Sequence, residues 1–214
     1  MTSPIRAALF DFGGVILSSP FEAFARYEAE HGLPPGFLRR VNATDPDTNA
    51  WARLERSEVD LDEFGRLFEA EARALGGEVV ATDVLALLRG EIRPAMVEAL
   101  RRCHERLATA LLTNNVVTMR TDGMAGGASA ELAAVLDHFD VVLESSVVGV
   151  RKPDPEFYRR ACAALGIEPA EAVFLDDLGV NLKPARAMGM TTIKVDDPEV
   201  AIAELEAVVG FPLR

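Results

Sequence analysis

Residues 5–15 read IRAALFDFGGV: a short apolar run from Ile5 to Phe10, interrupted only by Arg6 and closed by Asp11, Gly13 and Gly14. A run that is apolar at successive rather than alternate positions buries both of its faces, the mark of a strand inside a parallel sheet. Similar runs recur at residues 107–112, 141–143, 172–175 and 191–195. Between them, residues 95–105, 156–165, 181–188 and 199–209 carry helical spacing, the second followed by Gly166 as a stop signal. Strands alternating with helices over short connections predict an α/β fold. It is a Rossmann-like parallel sheet with helices on both faces and ligands at the carboxyl ends of its strands.

Residues 18–92 break this rhythm. Residues 21–31 read as a helix. Leu61, Phe64, Leu67, Phe68 and Leu75 mark another, opened by Asp60 with Glu63 three positions on. Residues 83–89 suggest a third, and no strand pattern appears. The expected organisation is therefore a core of residues 1–17 and 93–214 carrying a small helical insertion, residues 18–92. Residues 123–129 read as a flexible loop, and there is no internal repeat.

The charge balance narrows the function. Acidic residues outnumber basic ones 34 to 22, a formal net charge of −12. That argues against nucleic acid or a membrane surface as partner, since both need a positive field. An anionic ligand must be held by a local site working against the global potential. The only lysines are Lys152, Lys183 and Lys194, and two cysteines without a CxxC pattern form no disulfide framework. Neither a signal peptide nor a membrane span is legible, so a cytoplasmic location is expected.

Polar residues stand at four strand ends. Asp11 is followed by glycines that let backbone and ligand approach closely; alone, an Asp ending a strand is more often a turn or helix cap. Thr113-Asn114-Asn115 offers a hydroxyl and amides to an oxyanion, or makes an ordinary polar turn. Lys152, in GVRKPDP (149–155), presents a point charge suited to phosphate or carboxylate, although such a turn is common. Asp176-Asp177 closes the fourth run; two adjacent carboxylates repel unless a cation lies beside them, or else form a solvated acidic turn. Mg²⁺ takes one or two carboxylates together with waters and a ligand phosphate. In a parallel sheet all four ends face one edge. Three carboxylates, one lysine and two neutral donors there suit Mg²⁺-assisted attack by a carboxylate on phosphorus.

That order and spacing resemble the haloacid dehalogenase-like hydrolases, in the subclass with a helical cap after the first strand. FLDDLGVNLKPARAMGM (174–190) and TIKVDDPEVAIAELEAVVGFPLR (192–214) are similar to one branch in particular. It comprises the phosphatase-like domains of soluble epoxide hydrolase and of kinase-linked acyl-CoA dehydrogenase proteins. The resemblance implies that Asp11 is a nucleophile forming an aspartyl-phosphate. Thr113 and Asn114 would bind the phosphoryl group, and Lys152 would neutralise nucleophile and phosphate. Asp11, the Gly13 carbonyl, Asp176 and Asp177 would hold Mg²⁺. A small phosphorylated metabolite is the implied substrate, for a monomer or homodimer.

One position departs from the family. Its phosphatases carry a second aspartate two residues after the nucleophile, as general acid and then base; here that residue is Gly13. Three readings follow. The first is a Mg²⁺-dependent phosphatase with weak activity, or activity restricted to good leaving groups such as acyl phosphates. The second is a catalytically degenerate module binding a phosphorylated or CoA-bearing ligand or a partner protein. The third, a 2-haloacid dehalogenase, needs no metal and is disfavoured by Asp176-Asp177.

Other features carry less. Asp45, Asp47 and Asn49 imitate a calcium loop but lack its glycine and its bidentate glutamate. His31, His104 and His138 share no ligand spacing, although His31 is placed to be a substitute acid from the cap. Trp51, Phe21 and Phe24 read as core packing or as the lining of a pocket between cap and core.

Overall fold

The computed structural model describes residues 4–88, 90–115 and 128–214. Strands β1 (Ala7–Phe10), β2 (Ala108–Thr113), β3 (Val141–Glu144), β4 (Ala172–Asp176) and β5 (Thr191–Lys194) form one sheet in the order β3-β2-β1-β4-β5. Every neighbouring pair is parallel, so all five carboxyl ends lie along one edge. At the centre, Phe10 is in register with Leu111 on one side and Leu175 on the other.

After β1 the chain forms α1 (Phe21–Glu30), α2 (Phe37–Ala43), α3 (Ala50–Glu55), α4 (Leu61–Ala74) and α5 (Ala81–Ala86) before re-entering the sheet through α6 (Pro94–His104). The remaining described helices are α7 (Ala128–Leu136), α8 (Ser145–Val148), α9 (Pro155–Leu165), α10 (Gly179–Ala187) and α11 (Pro198–Val209). None of the described helices is long and apolar enough to cross a membrane.

The side chains of β1 are fully buried on both faces, as a central parallel strand requires. Ala8 and Phe10 join a cluster that includes Met96 and Leu100 of α6 and Ile202 and Leu205 of α11. Ala7 and Leu9 point the other way, into a cluster with Phe157 and Tyr158 of α9 and Leu182 of α10. Helices therefore cover both faces of the sheet. The insertion has an apolar cluster of its own, in which Phe37, Phe64, Phe68 and Trp51 are buried. The two crossings between core and insertion run side by side: Leu17 bridges Ile92, Ser18 N–H donates to the Glu91 carbonyl at 2.8 Å, and Arg93 N–H donates to the Ile16 carbonyl at 2.9 Å.

Element starts follow their local chemistry. Asp60 accepts from Glu63 N–H at 2.8 Å to cap α4. Asp154 does the same for α9, which Pro155 opens and Gly166 ends at φ 64°. Two insertion helices were not legible in the sequence. At seven and six residues, α2 and α3 are too short to display a period. The Asn49 carboxamide oxygen caps α3, and its nitrogen donates to the Asn42 and Thr44 carbonyls. The helix expected over 83–89 forms earlier, as α5, and Arg89 lies outside the described residues. Of the loop expected over 123–129, residues 123–127 lie outside the described residues and α7 begins at Ala128.

Candidate active site

Parallel pairing brings Asp11, Thr113, Lys152, Asp176 and Asp177 to the carboxyl edge. Asp11 directly follows β1, and its N–H donates to the Leu175 carbonyl at 2.9 Å, so the sheet ladder continues into the site. Its carboxylate Oδ1 accepts from Phe12 N–H at 2.7 Å and from Lys152 Nζ at 2.8 Å. Among the described residues, no protein donor reaches Oδ2.

Lys152 is the hub of the site. Its side chain is 1 % exposed, and Nζ also donates to Asp176 Oδ2 at 2.7 Å. The ammonium lies 5.5 Å from the centre of the Phe174 ring, an additional favourable contact for a buried cation. Burial opposes its charge, but Asp11 and Asp176 more than offset that and hold the ammonium above the ordinary lysine range. Asn114 spends its side chain on the Lys152 backbone: Nδ2 donates to the Lys152 carbonyl at 2.9 Å, and Oδ1 accepts Lys152 N–H at 2.8 Å. The second Nδ2 hydrogen of Asn114 and its main-chain N–H remain as donors. Thr113 ends β2 with its side chain buried, and among the described residues its hydroxyl makes no hydrogen bond. Beside it, Asn115 donates to Glu144 at 2.6 Å and accepts from Ser146 Oγ at 3.0 Å, tying the ends of β2 and β3 together.

Asp11, Asp176 and Asp177 each offer an oxygen within 4.8 Å of the others. Burial pushes the Asp11 carboxyl well above the usual range; Lys152 pulls it back, while Asp176 and Asp177 push it further up. Burial, then the charge of Asp176, raises Asp177 to about 6. Three carboxylates facing one ammonium leave two formal negative charges, which matches a divalent cation with oxygen-ligand preference. The donor set fits Mg²⁺.

The two glycines after Asp11 have different reasons to be there. Gly14 adopts φ 77°, and a Cβ at this position would lie 2.2 Å from Asp177 Oδ2. Only glycine combines that backbone with that approach. Gly13 sits at φ −68° and ψ 131°, and its Cβ would meet nothing within 4 Å. The fold does not require glycine at 13.

Three groups at the site were missed in the sequence. Asn181 Nδ2 lies 3.0 Å from both oxygens of Asp176, and its carbonyl accepts from Tyr158 OH at 2.7 Å. Its signal was a buried polar residue on the first turn of α10, five positions after Asp176. Arg93 Nη1 donates to the Gly14 carbonyl at 2.7 Å, and its charge lowers Asp177 slightly against burial. Glu55, from α3, pairs with Arg151 at 2.8 Å beside Lys152. Nothing in sequence spacing links Arg93 to Gly14 or Glu55 to Arg151; those pairs meet only through the fold. His31, considered as a substitute acid, stacks on Tyr27 with Nδ1 2.9 Å from the Tyr27 carbonyl. Phe24 and Trp51 are buried within the insertion.

A family model for haloacid dehalogenase-like hydrolases matches residues 5–189. The chain is 38% identical to acyl-CoA dehydrogenase family member 10 of Mus musculus over 98% of its own length, spanning 20% of that protein. It is 31% identical to the phosphatase MT3486 of Mycobacterium tuberculosis (strain CDC 1551 / Oshkosh), covering 90% of this chain and 88% of that one. Its fold is also that of a HAD family enzyme from Bacteroides thetaiotaomicron, solved in complex with magnesium and inorganic phosphate. The TM-score is 0.56 at 20% identity, covering 89% of this chain and 93% of that one. That family model covers most of the chain, and the wholly parallel five-stranded sheet agrees with it: the chain belongs to the haloacid dehalogenase-like hydrolases.

Proposed function

We propose that this chain is a Mg²⁺-dependent phosphatase acting on a small phosphorylated metabolite through an aspartyl-phosphate on Asp11. The observation that carries the reading is Lys152 Nζ, held between Asp11 Oδ1 and Asp176 Oδ2 at 2.8 and 2.7 Å with Asp177 beside them. An acidic protein needs such a local cation to admit a phosphate at all. The phosphatase relative and the magnesium- and phosphate-bound structural neighbour support the same reading. Residues 18–92 would be the cap over this edge.

Asp11, the Gly13 carbonyl, Asp176 and Asp177 would hold Mg²⁺, which supplies charge neutralisation at the phosphoryl oxygens. A carboxylate oxygen of Asp11 attacks phosphorus, and the ester P–O bond breaks with its electron pair leaving on the alcohol or acid oxygen. Lys152 favours the ionised carboxylate against burial and neutralises charge gathering on the phosphoryl group. Thr113 Oγ1 and the Asn114 main chain donate to that group. Water then attacks the aspartyl-phosphate, releasing inorganic phosphate and restoring the carboxylate. With Gly13 no side chain at that position protonates the leaving group. An acyl phosphate, whose leaving group is a stable carboxylate, is therefore favoured over an alkyl phosphate.

The test is hydrolysis of an acyl phosphate and an alkyl phosphate with Mg²⁺, using Asp11→Asn as control. Turnover of the acyl phosphate that disappears in the control supports the reading. Phosphate and Mg²⁺ binding with no turnover of either substrate would favour a binding module, the alternative that the missing carboxyl at position 13 keeps in view.

A further inference from the structure

The core and the insertion also meet away from the carboxylate cluster. Among the described residues, one ion pair joins them: Arg151 Nε and Glu55 Oε2, 2.8 Å apart. Both atoms are withdrawn from water, yet they are not aligned for a hydrogen bond. Arg151 reaches the insertion a second time, through Nη1 to the Pro46 carbonyl at 2.8 Å, and Ser57 Oγ donates to the Ser146 carbonyl at 3.0 Å nearby. Burial pushes the Glu55 carboxyl up; the charges pulling it back are, in order, Arg151, Lys152 and Arg56. Glu55 therefore sits within electrostatic reach of the lysine at the centre of the site.

The chain makes this contact consequential. Arg151 is the residue before Lys152, and the Lys152 backbone is clamped by the two hydrogen bonds to Asn114. Two consecutive side chains thus face two bodies: one grips the insertion, and the next holds Asp11 and Asp176. We propose that the Arg151–Glu55 pair is a latch that couples closure of the insertion to the placement of Lys152, with Arg151 as the positioning residue. This rests on the phosphatase reading for its catalytic consequence, but not for its structural one.

The energetics of the pair are asymmetric. Without Arg151, the closed arrangement buries the Glu55 carboxylate beside no fixed partner, which favours opening. Without Glu55, Arg151 keeps the Pro46 carbonyl, and its long stem can carry the guanidinium to water. Loss of Arg151 should therefore be relieved by neutralising Glu55.

The experiment compares Arg151→Ala, Glu55→Gln and the double variant. It measures kcat and KM with Mg²⁺ on whichever phosphate the wild type hydrolyses, and amide exchange on the Mg²⁺-loaded protein. Arg151→Ala should lower kcat/KM by roughly 30-fold or more, the scale of one buried charge left unpaired. It should also raise exchange together in Ala50–Glu55 and in the segment around Lys152. Glu55→Gln, which keeps the Arg151–Pro46 bond, should lose less, and the double variant should recover the part of the loss due to the unpaired Glu55 carboxylate but not the part due to the missing latch. Mg²⁺ should still raise the melting temperature of every variant, because Asp11, Asp176 and Asp177 are all retained. Where Arg151→Ala does not fold, Arg151→Gln, which also leaves Glu55 without its cation, replaces it, with the same recovery expected. A double variant no better than the single, or faster exchange in only one of the two segments, overturns the latch. If the wild type hydrolyses no phosphate, the phosphatase reading fails, and the paired exchange response still decides for or against the latch.

Discussion

Gly13→Asp is the perturbation that separates a phosphatase lacking its acid from a site that has lost its chemistry. Gly13 occupies φ −68° and ψ 131°, which any L-residue adopts, and a Cβ there meets nothing within 4 Å. No strain need be subtracted from the outcome, and the reduced freedom of the unfolded chain is itself worth about 0.4–1 kcal/mol where the backbone is compatible. The cost is a fourth carboxylate beside three others, which Mg²⁺ offsets when bound. A positioned general acid contributes about 10²–10⁴-fold, equivalent to roughly 3–5 kcal/mol of barrier at 1.36 kcal/mol per decade. Turnover of an alkyl phosphate should rise by that factor, while an acyl phosphate, which needs little protonation, should gain about ten-fold or less. Steady-state hydrolysis with saturating Mg²⁺ measures both, with Asp11→Asn/Gly13→Asp as background. A folded variant whose melting temperature still responds to Mg²⁺, but which shows no gain on the alkyl phosphate, refutes the missing-acid argument.

Lys152→Met should destabilise the metal-free protein by about 3–5 kcal/mol, because a buried cation between two carboxylates is removed from one side only. For a chain of this size that corresponds to a melting temperature lower by roughly 6–20 °C. Thermal unfolding followed by circular dichroism measures it, Mg²⁺ should restore part of the loss, and an unshifted transition would count against Lys152 as the hub. Asp177, raised to about 6, binds its proton more tightly folded than unfolded. The stability this contributes is complete below the ordinary carboxylate range and is lost as pH rises through about 6. Metal-free Asp177→Asn should therefore be more stable than the wild type at pH 7 but not at pH 4, and its melting temperature should respond less to Mg²⁺. Gly14→Ala should cost about 1–2 kcal/mol for its left-handed backbone alone, and more because Asp177 must move; Gly13→Ala should be neutral or slightly stabilising. Chemical denaturation of the two alanine variants compares neighbouring glycines directly.

What could be read in advance, and what could not, differs by element for identifiable reasons. The central strands β1, β2 and β4 announce themselves because burial on both faces demands continuous apolar runs, and Asp11, Thr113 and Asp176 mark their carboxyl ends; β3 and β5, at the sheet edges, are partly exposed. The long helices α4 and α9 are legible from a period of 3.6 and from Asp60, Asp154, Pro155 and Gly166 at their ends. By contrast, α2 and α3 have too few turns to show a period, and Asn49 resembles part of a calcium loop until its cap bonds are seen. Of the site, Asp11, Lys152, Asp176 and Asp177 were expected together and stand together. Asn114 was expected to bind the phosphoryl group; not foreseen is that its carboxamide also clamps the Lys152 backbone.

The alternation of strands and helices, the helical interruption after the first strand, the acidic charge balance and the departure at Gly13 all follow from the residues in order. These are local or compositional properties: burial, capping and backbone preference act over a few residues. It takes the folded chain to set Lys152 between Asp11 and Asp176, Asn181 against Asp176, Asp177 against Gly14 and Arg151 against Glu55. Such contacts join residues tens to more than a hundred positions apart, or depend on where a turn aims its side chains. Their partners are selected by the order of strands in the sheet and by the docking of the insertion, which no short stretch of sequence specifies.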